Sequence, residues 1–393
     1  MQQTPLPSDS VVMPAPAART DRIIFLACPW GTAGGGMYRV ADYLIQAQAS
    51  KTPRHAAQLC ALDTRGEGSA WASFIVLAQA MWKIARARFD GRLAGVHVNM
   101  AEKLSLLRKG MIVVTCFLLG VPVIVHLHAT MSAYYARLPR FVQAAVRWMF
   151  SLVTGVIVIG SEPRRFVIEE LGVPAKKVDI VINGVPDTIR PRQPARAGIK
   201  RVAFVGTLCE RKGVSWLLQA LAKAPLDRSK VDITLAGNGD LPRYKAEAKA
   251  LGIYEWIDFA GWHDQDEVEE LLARSDILVL PSRDEVLPLV ILEALANRVA
   301  VLTTPVGETP MVLEDGENAR FVPVGDVDAL ATALTELVEN DEMRRRLAER
   351  GREAYDQQFS LDRFFTSVAR IHRRHFGIAG HLPAPEVAEE LVA

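Results

Sequence analysis

The stretch DILVLPSRDEVLPLVILEALANRVAVLTT, residues 276–304, holds a complete structural unit. Its two ends, DILVL (276–280) and VAVLTT (299–304), are apolar runs of strand length, and between them Pro288 opens an apolar segment long enough for a helix. Apolar character that is continuous rather than alternating marks strands covered on both faces, as in a parallel sheet. The pattern recurs outward from this unit. IIFLAC (23–28), VIVHLH (123–128), GVIVIG (155–160), RVAFVG (201–206) and DITLAG (232–237) are further runs that end in glycine-rich or polar turns before helix-like stretches. Strand, helix, strand repeated this often is the doubly wound α/β pattern.

Length and composition divide the chain. At 393 residues it is long enough for two to three domains, and GVPDTIRPRQPARAGIK (184–200), with three prolines and two glycines, reads as a linker. The expected plan is a disordered lead-in over 1–20, Rossmann-like domains over 21–190 and 191–360, a helix over 361–377 and a flexible tail over 378–393. LDRFFTSVARIHRRHFG (361–377) carries apolar residues at 361, 364, 365, 368 and 371, one helical face that is expected to pack back on the first domain. The apolar run Met111–Val125 contains Gly120 and Pro122 and falls short of the roughly 20 residues of a spanning helix, so it reads as buried core. Residues 1–20 carry Pro, Ser and Ala where an export signal has a charged and then an apolar region. Four cysteines without metal or CxxC spacing fit a reducing compartment, so a cytoplasmic location is expected.

Charge is nearly balanced, 46 basic against 45 acidic residues, which gives no case for nucleic acid as a partner. The balance conceals an asymmetry. Residues 1–195 hold 22 basic and 12 acidic side chains (+10) and the remainder 24 and 33 (−9). MWKIARARFDGR (81–92) and YYARLPRFVQAAVRWMF (134–150) combine arginine with aromatics in amphipathic patterns suited to an anionic membrane surface, or to ordinary helices with solvated arginines and buried aromatics.

Two α/β domains imply a cleft between the carboxyl ends of their sheets, where ligands bind in open α/β structures. GTLCERKG (206–213) follows the second domain's first strand and sets Arg211 and Lys212 at the mouth of a helix. Cations are disfavoured there unless a phosphate uses them. GNGD (237–240) is either a plain turn or a loop in which Gly237 admits a ligand. In the 276–304 unit, Glu285 and Glu293 stand eight apart. Pro288 at the first helical position leaves the N–H groups of Leu289, Val290 and Ile291 free for a phosphate. Glu293 then lies roughly 7.5 Å further along, the span from a diphosphate to its ribose, whose diol a carboxylate can accept. Glu285 would face what the diphosphate carries. An arbitrary pair of glutamates would be one solvated and one ion-paired residue.

The glutamate pair resembles the E-x7-E signature of family 4 glycosyltransferases. GGG (34–36), HLH ending at His128, SEPRR from Ser161, INGV (182–185), GTLCERKG, GNGD and the PS before the glutamates stand in that family's order, over roughly residues 22–376. The resemblance implies a GT-B fold, two Rossmann-like doubly wound domains facing across a cleft, and transfer of a sugar from a nucleotide-sugar with retention of configuration. It implies catalytic roles for His128, Glu285 and Lys212. Donor contacts would come from Gly35, Gly36, Thr207, Arg211, Lys212, Gly237, Glu285, Leu287, Leu289, Val290 and Glu293. His126, two residues before His128, shares the alternative of a core histidine. No carboxylate nucleophile is evident opposite the sugar, and the resemblance implies front-face attack with the leaving phosphate assisting. No DxD cluster appears, so neither a metal nor a cofactor beyond a UDP- or GDP-sugar is expected. The expected acceptor is a glycan or polyprenyl-linked molecule of bacterial polysaccharide synthesis, reached from the inner face of the plasma membrane. Two departures stand out: Thr207 where the family usually has arginine, and Val286 and Pro288 where it has glycines. A nucleotide-sugar epimerase of the same fold, a glycan phosphorylase and a catalytically silent GT-B scaffold remain the alternatives.

Overall fold

The computed structural model describes residues 22–30, 35–49, 57–66, 70–129, 131–187 and 198–378. The expected lead-in over 1–20, Gly34, most of the linker and residues 379–393 of the expected tail lie outside them.

The N-terminal half runs β1 (Ile23–Cys28), α1 (Gly35–Ala49), β2 (Gln58–Asp63), α2 (Ala70–Phe89), β3 (Leu93–Met100), α3 (Leu104–Leu118), β4 (Val123–Leu127), α4 (Ser132–Ala136), α5 (Arg140–Ser151), β5 (Gly155–Val158), α6 (Ser161–Glu169) and β6 (Val178–Ile180). The second half runs β7 (Lys200–Val205), α7 (Val214–Lys223), β8 (Val231–Ala236), α8 (Leu241–Ala250), β9 (Ile257–Gly261), α9 (Gln265–Arg274), β10 (Ile277–Leu280), α10 (Leu289–Ala296), β11 (Ala300–Thr303), α11 (Thr309–Val312), β12 (Arg320–Phe321), α12 (Val327–Glu339), α13 (Asp341–Ala354) and α14 (Leu361–Phe376). Each half forms one six-stranded parallel sheet, ordered β2-β1-β3-β4-β5-β6 and β12-β11-β10-β7-β8-β9. The 276–304 unit is β10, α10 and β11, with β10 and β11 paired in parallel, Ile277 opposite Ala300. In both sheets the order reverses at the first strand of the half, which opens a crevice at the carboxyl edge.

Helix α14 returns to the N-terminal sheet. Phe364, Phe365, Val368 and Ile371 pack with Ile24 and Leu26 of β1 and Val40 and Leu44 of α1. Gly95 and Gly155 permit this, since a Cβ at either would run into the rings of Phe376 and His375. The two crossings between the halves lie side by side. The Val185 N–H donates to the Phe359 carbonyl at 3.0 Å and the Leu361 N–H to the Val185 carbonyl at 3.0 Å. Buried Arg352 grips both carboxylate oxygens of Asp187 at 2.9 and 2.7 Å and the Ala296 carbonyl at 2.7 Å.

Three readings need correction. Met111–Val125 is a helix end, turn and strand, yet Met111, Phe117 and Leu118 are exposed, because among the described residues nothing packs on the outer side of α3. The aromatics of the two basic segments are not all buried: Trp82, Phe89, Phe141 and Trp148 are more than half exposed. Beyond Gly377 the chain does not leave the surface at once, for Ile378 is buried against the α14 cluster. The return of α14 gives a direct test. Phe364→Ala, at a side chain 2% exposed, is expected to cost about 3–5 kcal/mol of stability in urea denaturation.

Candidate active site

On the C-terminal side, two loops are fastened together at the carboxyl edge of β7 and β10. After a 3-10 turn at Glu210–Lys212, Gly213 adopts φ 71°, and a Cβ there would strike the Pro281 carbonyl. The Arg283 N–H donates to the Arg211 carbonyl at 2.8 Å, so the basic loop and the loop bearing Glu285 share a backbone bond. Behind the Glu285 turn, the Glu308 N–H donates to the Val286 carbonyl at 2.7 Å. Held this way, Lys212 Nζ and Arg211 Nη1 each lie 2.6 Å from Glu285 Oε1. Lys212 and Glu285 are about nine-tenths buried, whereas Arg211 is half exposed.

Pro288 caps α10 rather than occupying its first turn, and this shifts the free donors. The Ile291 N–H is spent on the Pro288 carbonyl at 3.1 Å, so the open N–H groups are those of Leu289 and Val290. Glu293 projects from the same helix into the interface between the halves. Its Oε1 accepts from Arg39 Nη1 at 3.0 Å and from the Tyr43 hydroxyl at 3.2 Å, both on α1, while Oε2 is buried without a partner. Burial raises its pKa, opposed by Arg39 and Tyr43. Gln265 Nε2 donates to the Tyr43 oxygen at 3.1 Å and extends the contact to α9. Gly36, near the start of α1, comes close to Leu289, since a Cβ on it would lie 3.7 Å from Leu289 Cδ1. Gly35 has φ 54°, and no described residue outside its own turn of helix lies within 4 Å of where its Cβ would stand.

Not every residue singled out in the sequence joins this group through its side chain. Leu287 and Val290 are buried in the C-terminal core, leaving only their backbone groups to meet a ligand. Thr207 is exposed on the basic loop. Gly237 is packed on Gly206, whose carbonyl a Cβ would strike, and its N–H donates to the Gly261 carbonyl at 2.6 Å.

On the N-terminal side, His128 follows β4 and its Nε2 is 2.8 Å from Asn99 Oδ1 on β3. With that oxygen toward the ring, Nε2 carries the proton and Nδ1 keeps its lone pair. Behind His128 runs a buried row of rings: His126 lies 4.1 Å away between centroids, His126 Nδ1 is 3.2 Å from His97 Nε2, and His97 Nδ1 is 2.8 Å from His372 Nε2 of α14. Burial lowers the pKa of all three strand histidines, His97 and His128 to about 3. His126 therefore belongs to the core.

Sequence reasoning missed the groups that reach across the cleft. Arg39 and Tyr43 stand four apart on α1, one helical face, and that spacing was the available signal. Glu308 gave no such signal. It accepts from the N–H groups of Ser161 and Glu162 at 3.3 and 3.4 Å, placing a carboxylate from one half at the N-terminus of α6 in the other.

Comparison with known proteins now decides the family. The family model described as Glycosyltransferase Family 4 matches residues 34–188, and that described as Glycosyl transferases group 1 matches residues 186–354. The chain belongs to the family 4 glycosyltransferases. It is 36% identical over 170 residues to the lipopolysaccharide core biosynthesis glycosyltransferase LpsE of Rhizobium meliloti, covering 43% of this chain and 48% of that one. It is 32% identical over 218 residues to a phosphatidyl-myo-inositol mannosyltransferase of Mycobacterium leprae, covering 54% and 57%. The chain spans about half the length of these curated relatives. The crystal structure of Anabaena HepE in complex with UDP and glucose superposes with a TM-score of 0.69 at 18% identity, covering 89% of this chain and 98% of HepE. That likeness establishes the GT-B fold.

The histidine row gives this family member a pH signature. Unfolded histidines protonate near 6.5, whereas the buried ones stay neutral to about pH 3. Above pH 6.5 their contribution is whole, and as pH falls from 6.5 toward 3 only the unfolded chain takes up protons. Stability should drop by on the order of 1 kcal/mol per pH unit for each such histidine. Urea midpoints followed from about pH 7 to about pH 5 check this slope, and His97→Gln should flatten it.

Proposed function

We propose that the chain is a retaining glycosyltransferase that moves a sugar from a UDP- or GDP-sugar to an acceptor in polysaccharide, lipopolysaccharide or glycolipid synthesis. The observation that carries this is the convergence of Lys212 and Arg211 on Glu285, each at 2.6 Å, beside the open N–H groups of Leu289 and Val290, with Glu293 one turn further along the same helix. Two cations and a helix N-terminus suit the negative charge that grows on a diphosphate as it leaves. The unpartnered Glu293 Oε2 suits a ribose hydroxyl. HepE, of the same fold, binds UDP and glucose, which supports a nucleotide-sugar donor. In the proposed reaction the anomeric C–O bond to phosphate breaks and a C–O bond to the acceptor forms on the same face, the acceptor proton passing to the departing phosphate oxygen. Neutral His128 accepts a hydrogen bond from a sugar hydroxyl through Nδ1. The described residues contain no cluster of three or more His, Cys, Asp or Glu suited to a metal, and the two cations of the basic loop supply the positive charge this scheme requires.

A membrane-surface location belongs to the same proposal. No helix among the described residues is long and apolar enough to cross a membrane. Three neighbouring helices instead expose apolar side chains at seven-residue steps: Ile75, Trp82 and Phe89 on α2, Leu104, Met111 and Leu118 on α3, Phe141 and Trp148 on α5. Exposed Lys83, Arg86, Arg88, Arg140 and Arg147 accompany them. Aromatic and aliphatic groups flanked by arginine suit an anionic bilayer surface.

The donor site is tested by a thermal-shift series with UDP, GDP, ADP, CMP and dTDP. One nucleotide is expected to raise the melting temperature by about 5 °C at a hundredfold its dissociation constant, and Lys212→Ala and Glu293→Ala to remove the rise. No rise with any of them would favour the silent scaffold, and sugar conversion without an acceptor the epimerase. For the membrane face, flotation with anionic liposomes at low salt should carry the wild-type chain upward and leave Trp82→Ser/Phe141→Ser behind. Wild-type protein that stays in the soluble fraction would sink that reading.

A further inference from the structure

The carboxyl edge of the N-terminal sheet holds a second group of polar side chains that the donor site leaves unused. Lys109, on the second turn of α3, is fully buried. Its ammonium donates one hydrogen bond, to Ser105 Oγ at 3.2 Å, and forms no ion pair among the described residues. Beside it, Arg108 keeps Nε buried and without a partner. Burial is the main influence that lowers the pKa of both, Lys109 to about 7, and each feels Asp63, with Arg65 acting on Arg108.

Asp63 is the acid that acts on both cations, and its carboxylate is already occupied by the N–H groups of Trp30 at 3.2 Å and of Arg65 and Gly66 at 3.0 Å. Around it, Trp30 Nε1, Thr64 Oγ1 and Asn99 Nδ2, at the ends of β1, β2 and β3, are buried with no hydrogen-bond partner. The open groups are thus a lysine ammonium, an arginine N–H, an indole N–H, an amide NH₂ and a hydroxyl, nearly all of them donors. A buried cation surrounded by unfilled donors is costly unless an acceptor-rich anion fills the corner. The corner also adjoins the reacting centre. The same Asn99 holds His128 through its other amide atom, and Lys109 is among the charges that act on His128.

We propose that this corner is an oxyanion subsite for the acceptor: the molecule that receives the sugar carries a phosphoryl or carboxylate group and is held through it by Lys109 and Arg108, with Arg65 alongside. This rests on the transferase reading and narrows it. A neutral glycan, whose hydroxyls both donate and accept, has no use for a desolvated ammonium, whereas a phosphate or an acidic sugar does.

The test is isothermal titration of the full chain, its donor site saturated with the nucleoside diphosphate that shifts its melting, at matched ionic strength. The probes are glycerol 3-phosphate, inorganic phosphate, malate and neutral glycerol. At least one oxyanion should bind saturably while glycerol does not, and the phosphate and carboxylate arms separate the two sources. Lys109→Met and Arg108→Gln should each weaken that binding at least tenfold with nucleotide affinity unchanged. Should no nucleotide bind, the donor reading fails by itself, and Lys212→Ala, which lacks a donor-site cation, serves for the same anion titration. Saturable oxyanion binding that survives Lys109→Met, or none at all, would overturn the proposal. Lys109→Met should also melt higher than wild type without ligand, since it relieves a buried charge, and a lower melting point would mark the lysine as a structural element. If that variant does not fold, Arg108→Gln decides.

Discussion

The carboxylate of Glu293 sits where the two halves of the chain meet. It is buried, bonded to Arg39 and Tyr43 of the opposite half, and leaves one oxygen without a partner. Neither half alone makes this arrangement, because a carboxylate on α10 would be solvated without α1 over it. A buried charge tolerates little displacement before its pairing is lost, so this contact fixes how the edges of the two sheets face each other. Glu308 at the N-terminus of α6 and Arg352 on Asp187 fix the same geometry from two other places. Together they hold the basic loop and the His128 strand on opposite walls of one cleft.

The two walls are chemically unlike. The C-terminal wall offers cations already paired with a carboxylate, Lys212 and Arg211 on Glu285, and a helix start with two open N–H groups. The N-terminal wall offers neutral imidazoles, kept uncharged by burial, and a corner of unfilled donors around Lys109. Part of the basic excess of the first half lies on the outer face of α2 and α5, as Lys83, Arg86, Arg88, Arg140 and Arg147, and part in the inner corner of the cleft, as Arg108 and Lys109.

Most strands were legible in the sequence as apolar runs, and VIVHLH was read despite its histidines, whereas β2, β3 and β12 were not. β3, LAGVHVNM, is wholly buried but carries His97 and Asn99, which read as polar breaks until their partners on β4 and α14 are seen. β2, QLCALD at the sheet edge, buries only Leu59 and Leu62, and β12 is two residues long, so neither presents a run. The outer face of α3 misled in the opposite sense. An apolar stretch signals burial only when something covers it, and periodicity alone does not say whether anything does.

The sequence by itself determined the parallel α/β architecture, the order of the loops, the two cations of the basic loop and the glutamate pair, because each depends on residues within a few positions of one another. The tertiary structure decided what those residues meet. It set Glu293 beneath Arg39 and Tyr43 and joined His128 to Asn99, contacts between positions 29 to 254 residues apart in the chain, and it buried Lys109 in a corner beside Asp63. Local chemistry is written in neighbouring residues, whereas the burial and partners that tune it arise only when distant segments pack together.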